Sequence, residues 1–135
     1  MNTDLAAQRA FDRMKKGGFD RLSEEDKILA TVWTFDGAVA NRGFAGYYSR
    51  PEGDMASYAP TALAKIGATG MVAIATQANE VFGPNGPSRD RETRRKQLEA
   101  LGPDAKARFA ALDAEYFKSE EDLDELLELY LSRKP

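Results

Sequence analysis

The chain has 135 residues, 42% hydrophobic and 30% charged, with a formal net charge of −3. That is enough for one domain with a single core. It has no cysteine and no histidine, which excludes disulfides, thiolate chemistry, and imidazole as a base or metal ligand. Any catalysis would fall to Asp, Glu, Lys, Tyr, Ser or Thr, so the expectation is a non-enzymatic protein with neither cofactor nor metal. The first sixteen residues are polar and charged, without the apolar stretch of a signal peptide. No apolar run approaches the length of a bilayer span. A cytoplasmic, bacterial-type protein is expected.

Residues 2–16 read as a first helix, capped by Thr3 or Asp4. Leu5, Phe11 and Met14 give it a narrow apolar edge, and Gly17-Gly18 ends it. So thin a stripe predicts a docked arm (residues 1–18) beside a helical domain (residues 19–135). Ser23, with Asp26 three positions on, has the form of a capping box. The helix that follows carries two overlapping stripes, Leu29-Val32-Trp33 and Ile28-Phe35-Val39. Apolar surface that wide needs cover on more than one side, which makes this the central helix.

Gly43 breaks that helix, with Asn41 placed to bond loosened backbone groups. Phe44, Tyr47 and Tyr48 then fit a short helical turn, followed by a turn-rich loop at residues 49–54. The corner lacks the spacing and the Lys-Ser/Thr ending of a phosphate-binding loop. Pro60 suits the first turn of another helix, buried by Leu63 and Ile66 and stopped at Gly67. Thr69 is the expected cap of the next, where Met71, Ile74, Ala75, Ala78 and Phe82 recur at helical spacing. Residues 83–88 read as an exposed, mobile loop.

Ser88 is expected to cap a charged helix in which Arg89, Arg91, Arg94, Arg95 and Lys96 are interleaved with Asp90, Glu92 and Glu99. That alternation describes a solvated face. Phe109, Leu112 and Tyr116 define a further helix. A second capping box at Ser119-Glu120-Glu121-Asp122 precedes the stripe Leu123, Leu126, Leu127, Tyr130 and Leu131. No strand alternation and no repeat interrupts this order. The expectation is an all-α, single-domain orthogonal helical bundle of roughly seven helices.

The last third is acidic: Asp113, Glu115, Glu120, Glu121, Asp122, Asp124, Glu125 and Glu128 are opposed only by Lys118. Acids at a helix start stabilise its dipole. On one helix, Glu121, Glu125 and Glu128 would form a ladder opposite the leucines, with neighbours about 5–6 Å apart. Such a ladder imitates repeated phosphate charge and attracts a basic partner. Glu120, Glu121, Asp124, Glu125 and Glu128 are therefore the candidate partner-binding residues. The loop pattern of an EF-hand is missing.

Residues 22–131 resemble a bacterial family of small helical proteins, a domain-of-unknown-function family that includes a dimeric DNA-mimic protein. The resemblance rests on Leu22-Ser23-Glu24-Glu25-Asp26-Lys27, Val32-Trp33, Val39, and the corner Asn41, Gly43-Phe44 and Tyr47. Ala62-Leu63, Ile66-Gly67-Ala68, Phe82-Gly83-Pro84 with Arg91, and Leu123-Asp124-Glu125-Leu126 add to it. Ala38 stands where the family favours an acid, Arg42 intrudes into its Asn-Gly-Gly-Phe, and Gly46 replaces a common glutamine. The resemblance implies an acidic surface binding a DNA-binding protein or transcription factor, and a homodimer. It implies a structural corner at Trp33, Asn41, Gly43, Phe44 and Tyr47.

A net charge of −3 confines mimicry here to local acidity, since partners sense patches rather than totals. Two alternatives stay open at this level. One is a carboxylate-dependent enzyme using Asp36 with Tyr47 or Tyr48. The other is nucleic-acid binding through the basic patch from Arg89 to Lys96, although no aromatic is interleaved there for base stacking, and direct nucleic-acid or membrane binding is not expected.

Overall fold

The computed structural model describes residues 3–133. Seven α-helices, joined by short connections and two 3-10 segments, enclose one core, with no strand among the described residues. No helix among them is long and apolar enough to cross a membrane.

The long helix α2 (Glu24–Ser49) lies at the centre. Ser23 caps it by accepting the Asp26 N–H at 3.1 Å. The Asp26 carboxylate does not return to the cap as a capping box requires. It pairs instead with Arg13 of α1 (Thr3–Gly17) at 2.8 Å, tying the two helices together. Only Ala7 and Ala10 of α1 are fully buried, and Phe11 and Met14 pack partly against the core.

Gly43 breaks α2 with φ 72° and ψ 179°, backbone that is essentially glycine's alone. The Phe44 N–H, left open by the break, is taken by Asp113 of α6 (Pro103–Lys118) at 2.7 Å. A β-carbon on Gly43 would lie 2.6 Å from the Asp113 carboxylate. Asn41 bonds back to the Gly37 carbonyl at 2.8 Å, one turn before the break.

Past the corner, Phe44, Tyr47 and Tyr48 are buried among Phe35, Phe82 and Phe109. Their rings meet mostly edge-on or tilted, with centroids 4.7–6.4 Å apart, the arrangement ring quadrupoles favour. Both tyrosines are lost to solvent, so neither is available as an interface anchor. Tyr48 donates to Asn79 at 2.6 Å, and Asn79 donates to the Ala56 carbonyl.

A 3-10 segment (Pro51–Tyr58) turns the chain into α3 (Ala59–Lys65), where Pro60 occupies the first turn, and then into α4 (Thr69–Glu80). Helix α5 (Arg91–Ala100) is capped by Asp90 rather than Ser88, and α7 (Leu123–Ser132) by Asp122 rather than Ser119. Each serine instead accepts the N–H two residues ahead, Asp90 for Ser88 and Glu121 for Ser119.

Candidate interaction surface

The carboxylates of the last third divide by what they touch. Asp113 is spent on the Phe44 N–H. Glu121 closes the start of α4, its two oxygens accepting the Gly70 and Met71 N–H groups at 2.9 and 2.8 Å. This replaces the expected Thr69 cap, since Thr69 is the first helical residue and makes no capping bond. It also removes Glu121 from the ladder. The residue precedes α7, is half-buried, and has both oxygens turned inward. Glu120 likewise lies before the helix but is exposed. Asp124, Glu125 and Glu128 are exposed on α7, and none forms an ion pair among the described residues.

Asp124 belongs to a second acidic neighbourhood. A groove of about 840 Å³ runs between α1 and α2, lined by carboxylates from Asp4, Asp12, Asp36, Glu52 and Asp124 and by cations from Lys15, Arg42 and Arg50. Its aromatic wall is Trp33, which meets Phe11 of α1 edge-on at 6.2 Å.

Asp36 is half-buried and accepts a hydrogen bond from the Tyr116 hydroxyl, which also lies 3.1 Å from the Asp36 carbonyl. Burial pushes the Asp36 carboxyl above its ordinary value, the Tyr116 bond pulls it back, and Asp122 pushes it up again. Asp124 is raised chiefly by burial, then by Asp36, Asp4 and Asp122. The Tyr116 hydroxyl is driven up by burial and by Asp36. Like charges from Asp4 of α1, Asp36 of α2 and Asp122 and Asp124 at the start of α7 therefore act on one another, so this cluster draws on more than one helix.

The carboxylate–tyrosine pairing of the enzyme alternative is not formed. Asp36 is partnered by Tyr116, while Tyr48 is bonded to Asn79. Tyr47 is 1% exposed, and neither it nor Tyr48 lines the groove beside Asp36. The structure does not assemble that catalytic pair.

The basic patch is also not a solvated face. Arg94 is fully buried, its guanidinium donating to the carbonyls of Tyr48 (2.6 Å), Ser88 (2.9 Å) and Arg50 (2.8 Å) and to the Asp54 carboxylate (2.8 Å). Arg91 pairs with Asp54 and Arg89 with Asp20. Of the five cations, Arg95 and Lys96 remain exposed without an ion pair. The loop at residues 83–88, expected to be exposed and mobile, is clasped. Gln97 accepts the Ser88 N–H and donates to Gly86, and Pro87 is buried.

The sequence carried a signal for both internal roles. Arg94 stands one turn before the half-buried Leu98, and Asp113 one turn after Phe109, positions that face inward on their helices. No group of Asp and Glu among the described residues is placed to hold a metal ion.

A small all-α bundle with a structural glycine corner and an outward-facing set of carboxylates defines the class. The particular family follows from the sequence: residues 20–134 match the DMP19-like protein family, and the chain belongs to it. That family is one of DNA mimics. The match begins after α1 (Thr3–Gly17), which lies outside the matched residues. No curated protein and no solved structure matches the chain.

Proposed function

We propose that this protein is a protein-interaction module that presents carboxylates to a basic, DNA-binding partner in place of DNA. Membership of a DNA-mimic family supports the reading. The observation that carries it is the convergence of carboxylates in which Asp36 feels the charge of Asp122, and Asp124 that of Asp36, Asp4 and Asp122, beside Glu125 and Glu128, which are exposed and make no ion pair among the described residues. Unpaired carboxylates held close together create the potential that draws a cationic surface. Glu120 stands at the edge of this surface, and Glu121 supports it from beneath by fixing the start of α7 to α4.

The test is capture from lysate at low salt, with duplex DNA added to half the samples. A basic DNA-binding protein that DNA displaces, and that Asp124→Lys with Glu128→Lys no longer captures, supports the reading. Capture indifferent to both DNA and charge reversal overturns it.

A further inference from the structure

The groove between α1 and α2 combines an aromatic wall with carboxylates from separate elements. Trp33 is partly buried in it and braced edge-on by Phe11. Lys15 Nζ stands 5.0 Å from the Phe11 centroid, so this ring pair already offers a face to a cation. Asp12, Asp36, Glu52 and Asp124 surround the pair, and none of the four forms an ion pair among the described residues. Lys15, Arg42 and Arg50 share the groove and likewise make none, which leaves its carboxylates in excess.

Glu52 supplies an independent sign. Its Oε2 is shut away from solvent and accepts no hydrogen bond, a costly state for a carboxylate oxygen. Turning that carboxylate toward a donor in the groove breaks no existing bond. Tyr47, 1% exposed, carries the other unpartnered buried oxygen, and the Glu52 charge reaches it.

Resting on the partner reading above, we propose that this groove seats an arginine side chain of the bound protein. A planar guanidinium can lie against Trp33 while its donors fork onto carboxylates on either side. An ammonium supplies the charge without the plane or the fork. Phe11 and Asp12 belong to α1, outside the matched residues 20–134, so this helix supplies part of the seat and would help this chain choose its partner.

The test uses a dye-labelled hexa-arginine peptide and the full-length protein, read both by peptide anisotropy and by emission of Trp33, the sole tryptophan. Binding is expected to change Trp33 emission. It is expected to weaken about five-fold in the Asp12→Asn/Asp36→Asn double variant and to exceed hexalysine binding several-fold. Asp12→Asn alone changes an exposed site outside the core, and it should weaken binding about two-fold.

Equal affinity for hexalysine overturns the arginine assignment. Binding that leaves Trp33 unchanged and weakens only in Glu125→Gln/Glu128→Gln overturns the seat and leaves the acidic-surface reading standing. An absence of binding to either peptide at low salt overturns both.

Discussion

The Glu121 carboxylate accepts the Met71 N–H at 2.8 Å, across fifty positions of sequence. A side chain that looks like part of an acidic display is thereby the N-terminal cap of a different helix. Its second oxygen takes the Gly70 N–H, so two of the four donors that α4 leaves open are satisfied by one residue. Replacing Glu121 with Ala should cost about 1–2 kcal/mol of stability, the usual worth of a lost cap. Urea denaturation measures it. Binding to a basic peptide should change far less than stability does, which separates Glu121 from Glu125 and Glu128.

Gly43→Ala should destabilise by about 1–3 kcal/mol from backbone strain alone, with a further penalty from the approach to Asp113. Asp113→Ala removes the obstacle but orphans the Phe44 N–H. The double variant is therefore expected to lose less than the sum of the two singles. A thermal double-mutant cycle reads the coupling.

Arg94→Met should lower stability by about 3–5 kcal/mol, because it leaves the carbonyls of Tyr48, Ser88 and Arg50 without their donor and the Asp54 carboxylate with Arg91 alone. Arg94→Lys should recover little of this, since one ammonium cannot reproduce the geometry of the fork. Chemical denaturation of both variants checks the order.

Asp36 and Asp124 have folded values above the ordinary 3.8, so the folded state holds their protons more tightly than the unfolded chain does. Their contribution to stability is full below pH 3.8 and is lost as pH rises through the raised folded values. Asp36→Asn keeps an acceptor for Tyr116 and removes the charge. It should raise the melting temperature at pH 7 and flatten the stability profile above pH 4, as a pH series of thermal melts would show. A variant less stable than the parent at pH 7 would contradict the burial and repulsion assigned here.

The helical order, the central position of α2, the break at Gly43 and the entry of α3 at Pro60 were all legible from periodicity and from glycine and proline punctuation. The caps were not. Thr69, Ser88 and Ser119 are all reasonable caps by residue type. The acceptors that prevailed were Glu121, brought in by tertiary packing, and Asp90 and Asp122, each standing immediately before the first helical turn. The ladder of Glu121, Glu125 and Glu128 failed for the same reason, because it assumed that α7 begins before Leu123. Charge alternation places Arg94 on the surface because it describes composition, whereas the burial of Arg94 depends on the carbonyls of Tyr48 and Arg50, far off in sequence, and of nearby Ser88. Asp124 was visible as an acid, but its place beside Asp36 and Asp4 depends on how α1 and α7 meet.

Helix α1 rests on the bundle through two fully buried alanines, a partly buried edge and one ion pair to Asp26. Its outer positions, Asp4 and Asp12 among them, take no share in the core. Apart from Arg13, which holds Asp26, and Asp4, charge at the exposed positions of this helix such as Asp12 can therefore be exchanged at little risk to folding. The element that borders the acidic groove is the one on which new partner preferences can accumulate most freely.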